Sequence, residues 1–393
     1  MQNEQPAAEA AAGSAWLKYR YLIVILCAFT ASRILFYFIG LMGHINFGTG
    51  EVLTMESLFN MWDRTADSFC SFDCYWYSTI AEFGYDHYPH GLTTGHASNW
   101  AFMPVYPGLA RLLHELLGIT VLDAFYVISN LCFLIALVFI AKCFLLKGVA
   151  DYKIYFVIFF MCFCPYEVYF IAPYTESLFL MLTAMLFYCS YRRLWLAAAV
   201  CGFFMTGTKV LGVMSVFVIL TESVRAYGIR SFLRLELPAM KSLLAVFIVP
   251  MPFFLLMTFY YYYTGDPESF KNIQFAWGRS VGNPFDYWYS GLMTGGRKTY
   301  MAVSIVVGYL LALVLIWRRL YSEFIFMIIC ITVPLLTSIN TFPRYLFGLF
   351  PTYIALYELV RKNSVLRYIL LTCGAATATY FTVAWVNSKF FAI

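Results

Sequence analysis

The sequence predicts an all-α polytopic membrane protein with about eleven transmembrane helices, and three observations carry that prediction. Of 393 residues, 62% are apolar and only 12% are charged, far from the balance of a soluble domain. The mean hydropathy is +0.73. Apolar windows of about 20 residues, the length that crosses a bilayer as a helix, recur along most of the chain. They place spans at 20–42, 121–146, 153–171, 175–190, 194–207, 209–224, 242–263, 299–317, 323–340, 345–360 and 365–387. The four between 153 and 224 are short for spans, so tilt or a break inside the membrane is expected there.

The opening MQNEQPAAEAAAGSAWLKYR is polar. Residues 1–15 are expected to be a disordered cytosolic tail without a cleavable signal, and 16–393 a single membrane domain. Eleven cysteines are present, most of them inside apolar runs such as MCFCPY, where Cys packs as a small hydrophobe. Only Cys70 and Cys74, four apart in a non-membrane segment, invite a disulfide, and the sequence leaves that pairing open.

The net charge of +5 has meaning only through its distribution. With the N-terminus in the cytosol, sixteen of the 26 basic residues fall at cytosolic ends of spans, as the positive-inside rule asks. No nucleic-acid partner is expected. The other ten, Arg33, Arg64, Arg111, Lys209, Lys271, Arg279, Arg297, Lys298, Arg344 and Lys389, need another reason. Carboxylates gather in two long non-cytosolic loops, 43–120 and 264–298, and loops of that length are usually functional.

Within the first loop, CYWYSTIAEFGY reads as a short amphipathic helix ending at Gly84, with Asp73 placed either to cap it or to meet a substrate. Glu82, nine positions on, points to the opposite face and is expected to meet substrate or to hold the helix to the body by an ion pair. Pro104 and Pro107 then enforce turns before the amphipathic GLARLLHELLG. Trp100 and Tyr106 in this stretch are further substrate-facing candidates. Trp76, Trp277 and Trp288 could stack on sugar or lipid, or simply anchor the protein at the interface. The spacing of His87, His90 and His96 fits no zinc pattern, so no metal is expected.

FDCYWYSTIAEFGY followed by WAFMPVYPGLARLL resembles the opening pattern of the PIG-V family, the second mannosyltransferases of GPI-anchor assembly and their prokaryotic relatives. APYTESLFLMLTAMLFY at 172–188, GTKVLGV at 207–213, GDPESFKNIQFAWGR at 265–279 and FPRYLFGLFP at 342–351 resemble its later signatures in the same order, over residues 70 to 355. Phe72 stands where the family usually has Trp, Lys209 where Arg is usual, and the chain is short beside eukaryotic members.

The resemblance implies a GT-C glycosyltransferase fold, a polyprenyl- or dolichyl-phosphate hexose as donor, mannose as the hexose, and a lipid-linked or cell-envelope glycan as acceptor. Asp73 maps onto the catalytic carboxylate. No cofactor is implied, the lipid-phosphate sugar being a co-substrate, and a small membrane partner subunit is compatible with it. An acceptor hydroxyl needs a base to take its proton, and a departing phosphate needs fixed positive charge. Arg344 and Lys209, at outer ends of spans, are expected to face the donor phosphate, with Arg279 third; the competing readings are snorkelling for the first two and an ion pair to Asp266 or Glu268 for Arg279. Tyr174, Thr175 and Glu176 are expected to bond sugar hydroxyls or, through Thr175, to cap a helix. The site would face the periplasm of a bacterial inner membrane or the lumen of the endoplasmic reticulum.

A secondary transporter or flippase is the main rival class, but no internal repeat is visible. An O-acyltransferase would want a deep base, commonly His, and all five histidines lie in or beside the first loop.

Overall fold

The computed structural model describes residues 5–49, 66–90 and 96–388. Among them the fold is all-α. Six helices are long and apolar enough to cross a membrane, Tyr19–Phe47, Val121–Leu146, Val210–Tyr227, Leu237–Thr264, Gly296–Trp317 and Ser364–Val386, and four shorter apolar helices, Tyr152–Cys162, Glu176–Tyr191, Trp195–Thr208 and Tyr321–Leu335, accompany them. The one remaining expected span, 345–360, is broken at Gly348 into Phe342–Phe347 and Phe350–Val360. At its N-terminal end the first helix extends back to Gln5, into the stretch expected to be a disordered tail; its AAEAAA is rich in Ala, the residue of highest helix propensity.

The short helices are the buried ones. Glu176–Tyr191 packs between Val121–Leu146 and Trp195–Thr208 and buries most of its length on all faces. Its 16 residues rise about 23 Å, less than a bilayer core; its first residues are buried, while Arg192 and Arg193 just past its last turn are exposed. The expected span 153–171 likewise ends as a helix at Cys162 and resumes only as Val168–Ile171. Irregular backbone at such depth is tolerated where neighbouring protein covers it, and residues 164, 166 and 167 are buried.

The two loop helices form as expected. Cys74–Phe83 ends on Gly84 at φ +84°, and Val105–Leu117 ends on Gly118 at φ +67°, positions that a side-chain-bearing residue enters with difficulty. The segment between them is held by Asp86, whose carboxylate accepts from Ser98 Oγ and the Asn99 amide at 3.0 Å each. The first helix packs against Ser364–Val386. Trp385 of that last helix donates to the Phe69 carbonyl at 2.9 Å and sets its ring 5.3 Å from Phe72, so it floors the loop that carries Asp73.

Candidate functional site

Asp73 lies in a five-residue turn closed by a Cys70–Cys74 disulfide. Inside the turn Phe72 sits at φ +57°, a left-handed conformation rare for an aromatic residue. The buried Tyr174 hydroxyl clamps the turn from the other side, donating to the Ser71 carbonyl at 3.0 Å and accepting from the Asp73 amide at 2.9 Å. The backbone of Asp73 starts the helix Cys74–Phe83, but its side chain makes no capping bond. The capping reading therefore fails: the carboxylate instead accepts from Arg344 Nη1 at 2.8 Å.

Arg344 stands on the short helix Phe342–Phe347, entered through Thr341 at φ +61° and Pro343. Its Nε contacts Glu176 Oε1, and the guanidinium lies 4.6 Å from the Tyr174 ring centre and 5.2 Å from that of Tyr169, where cation–π attraction adds to the pairing. The same Glu176 oxygen accepts from Lys209 Nζ at 2.7 Å. Lys209 is held in extended backbone between Trp195–Thr208 and the 3₁₀ turn Val210–Met214. That crossing demands glycine at 212, since a Cβ there would lie 2.2 Å from the Met205 carbonyl carbon. Arg279 completes the set, its Nη2 3.3 Å from the Tyr345 hydroxyl and its Nη1 3.1 Å from Gln274 Oε1, while Lys209 lies 5.8 Å from the same tyrosine's ring.

Arg344 and Lys209 thus hold two carboxylates, with Arg279 beyond Tyr345, and exposure divides the carboxylates. Glu176 is 1% exposed and Arg344 8%, but Asp73 is 27% exposed. The buried members fix one another, and Asp73 is the carboxylate within reach of solvent. Beside it, Tyr77 is buried, and burial first, then the charge of Asp73, raises its phenol well above the ordinary range, so it stays a neutral hydroxyl.

The remaining candidates lie elsewhere. Glu82 is exposed and makes no ion pair among the described residues, so it does not tie its helix down; its face of the helix turns to solvent. Trp100 is buried with Nε1 on the Asp86 carbonyl at 2.6 Å, and Tyr106 is buried with its hydroxyl 2.9 Å from Ser129 Oγ; both are spent on packing. Thr175 makes no capping bond either; its hydroxyl lies 3.4 Å from Glu176 Oε2. Arg279 does not pair with Asp266 or Glu268, which bond Asn272 and Lys271 instead.

Of the ten basic residues outside the positive-inside pattern, Arg344, Lys209 and Arg279 meet here. Arg111 and Lys271 pair with Glu115 and Glu268 along their own helices. Arg33 pairs with Glu167 at 2.6 Å deep in the bundle, with its guanidinium between Phe29 and Phe133. Arg297 and Lys298 open the helix Gly296–Trp317, and Arg64 and Lys389 lie outside the described residues. Sequence reasoning passed over Tyr169, Tyr345 and Glu167. Tyr345 had a signal in its place next to Arg344; a carboxylate inside a predicted span should have drawn attention to Glu167.

No protein-family model matches the sequence, and no curated protein matches it. Among solved structures the chain is similar to the Archaeoglobus fulgidus oligosaccharyltransferase in complex with Zn and sulfate, at a TM-score of 0.41 and 12% identity over 83% of this chain and 49% of that one. It is also similar to the archaeal oligosaccharyltransferase AglB from Archaeoglobus fulgidus in complex with an inhibitory peptide and a dolichol-phosphate, at a TM-score of 0.43 and 13% identity over 96% of this chain and 56% of that one. The chain spans about half the length of these proteins.

Proposed function

We propose that this chain is a GT-C-type membrane glycosyltransferase that moves a hexose, mannose by its resemblance to the PIG-V family, from a polyprenyl or dolichyl phosphate to a glycan or lipid-linked acceptor. One observation carries the reading. Five stretches that resemble that family's signatures, with Asp73 and Arg344 lying 271 positions apart, contribute to a single cluster in which one carboxylate reaches solvent.

The chemistry follows from the partners. The donor phosphate docks against Arg344, Lys209 and Arg279 and takes Asp73's place on Arg344 Nη1, which frees the Asp73 carboxylate. The acceptor oxygen attacks the anomeric carbon, its proton passes to Asp73, and the bond from that carbon to the phosphate oxygen breaks with its electron pair leaving on polyprenyl phosphate. One displacement inverts the anomeric centre. Arg344 suits the task because its planar fork serves two anions at once. The Cys70–Cys74 bridge supports a periplasmic or lumenal site, since disulfides persist in oxidising compartments.

The test is transfer of labelled mannose from polyprenyl-phosphate mannose to endogenous acceptors in membranes, native protein against Asp73→Asn at matched expression. Asn keeps the shape and can still accept from Arg344. The expected outcome is a fall of about 10²–10⁴-fold, the usual contribution of a general base, with folding retained. Equal activity in both proteins removes Asp73 from the chemistry; no transfer by either removes this donor class.

A further inference from the structure

A second polar site lies at the opposite end of the bundle. The helix Glu176–Tyr191 starts in the Asp73 cluster and ends about 23 Å away on a cavity of about 700 Å³. Five cations line it, Lys147, Lys153, Arg193, Arg225 and Arg361. Only two carboxylates, Glu222 and Glu358, share the lining. Glu358 is engaged by Arg361 at 3.1 Å, Lys147 turns to the buried Glu323, and Arg225 reaches Glu222 only at 3.7 Å. Lys153 and Arg193 pair with no carboxylate among the described residues.

Helix dipoles account for part of this charge, because four helices end here and cations favour C-terminal ends. They do not account for Lys153 or for the conformation of Arg193. Lys153 stands in the first turn of Asp151–Cys162, the end of a helix where a cation is disfavoured. Arg193 occupies φ +58° just beyond Glu176–Tyr191, closing the helix through Leu194 N to the Cys189 carbonyl at 2.8 Å. Glycine is the favoured residue there, so the arginine is held at a conformational cost. The buried Ser190 hydroxyl on the cavity wall has no hydrogen-bond partner among the described residues. Besides Tyr191 and Tyr357, the lining includes an apolar wall of Leu146, Val149, Leu320 and Ile354, and Tyr152, Leu194 and Tyr321 stand exposed nearby.

We infer that this cavity binds a phosphate-bearing anion, the headgroup of an anionic phospholipid. The cations and Ser190 meet the phosphate, and the apolar wall and the exposed apolar residues take the start of the acyl chains. Basic pockets between transmembrane helices are suited to such headgroups. The assignment is independent of the reaction at Asp73.

The experiment compares melting temperatures of the protein in phosphatidylcholine vesicles with and without a minor share of phosphatidylglycerol, and in detergent with and without inorganic phosphate. The variants are Arg193→Gly, Lys153→Gln and, outside the cavity, Arg234→Gln. Arg193→Gly relieves the left-handed arginine and so does not lower stability in phosphatidylcholine alone. Phosphatidylglycerol is expected to raise the melting temperature of the native protein and of Arg234→Gln, and most of that rise is expected to vanish in the two cavity variants. An equal rise in all four proteins, or none in the native one, overturns the site. Stabilisation by inorganic phosphate but not by phosphatidylglycerol, lost in the cavity variants, overturns the lipid assignment in favour of a soluble phosphate.

Discussion

Replacing Glu176 by Gln removes one charge from beneath two cations. Glu176 is 1% exposed, and a single oxygen serves Arg344 Nε and Lys209 Nζ. Removing one partner of a buried pair costs about 3–5 kcal/mol. Here Arg344 keeps Asp73 at 2.8 Å, and Lys209 is 17% exposed, so the low end, about 3 kcal/mol, is expected. Glu115→Gln is the reference: its pair with Arg111 has the same chemistry, but both side chains are more than half exposed, where the loss is about 0.5 kcal/mol or less. Equilibrium unfolding in mixed micelles, followed by tryptophan fluorescence, compares the two. The Glu176→Gln, Lys209→Met double variant adds an internal check, since taking away the stranded ammonium should return about 1 kcal/mol or more of the loss as a coupling term. If Glu176→Gln is no worse than Glu115→Gln, or the double variant shows no coupling, Glu176 does not hold the two cations and the account of the cluster is wrong.

Two further outcomes test the scaffold around that cluster. Arg33→Leu or Glu167→Leu alone should lose about 3–5 kcal/mol by stranding a buried charge, whereas the double variant should be markedly milder; thermal unfolding that shows the two losses simply adding would refute the pair. Gly212→Ala should unfold earlier and lose transfer activity, because the new Cβ would meet Met205 and Thr206 backbone at 2.2 and 2.3 Å, while Gly108→Ala, with nothing within 4 Å, should be close to neutral; equal melting temperatures for the two would count against the close crossing.

The spans were legible because a bilayer imposes a length and a composition that any apolar window reveals. What the windows could not show is where a helix stops early inside protein. Residues 163–167 and 348 interrupt predicted spans, and nothing in hydropathy separates a lipid-facing stretch from one covered by its neighbours. The cations of the candidate site were legible as charges in the wrong place: Lys209, Arg279 and Arg344 had no topological reason to be where they are. Their pairing was not. Asp73 reads locally as a helix cap, and Glu176 as a residue favouring a helix N-terminus, because each does begin a helix; the partners that claim their side chains lie 271 and 168 positions away. No periodicity encodes such distances. Trp100 and Tyr106 misled for the converse reason, since aromatic rings beside a site look the same in sequence whether they face a ligand or fill the core.

Trp385 gives the fold a chronology. The loop bearing Asp73 emerges early in synthesis, but its floor is a ring on the helix Ser364–Val386, and its cation arrives only with Phe342–Phe347. Until those late helices insert, the turn at 70–74 has the Tyr174 clamp but not the Trp385 ring beneath it, and Asp73 lacks its partner. Contacts of such separation close slowly. A nascent or stalled chain therefore carries the carboxylate without its cluster, which closes only when the helices Phe342–Phe347 and Ser364–Val386 have come back to meet the first loop.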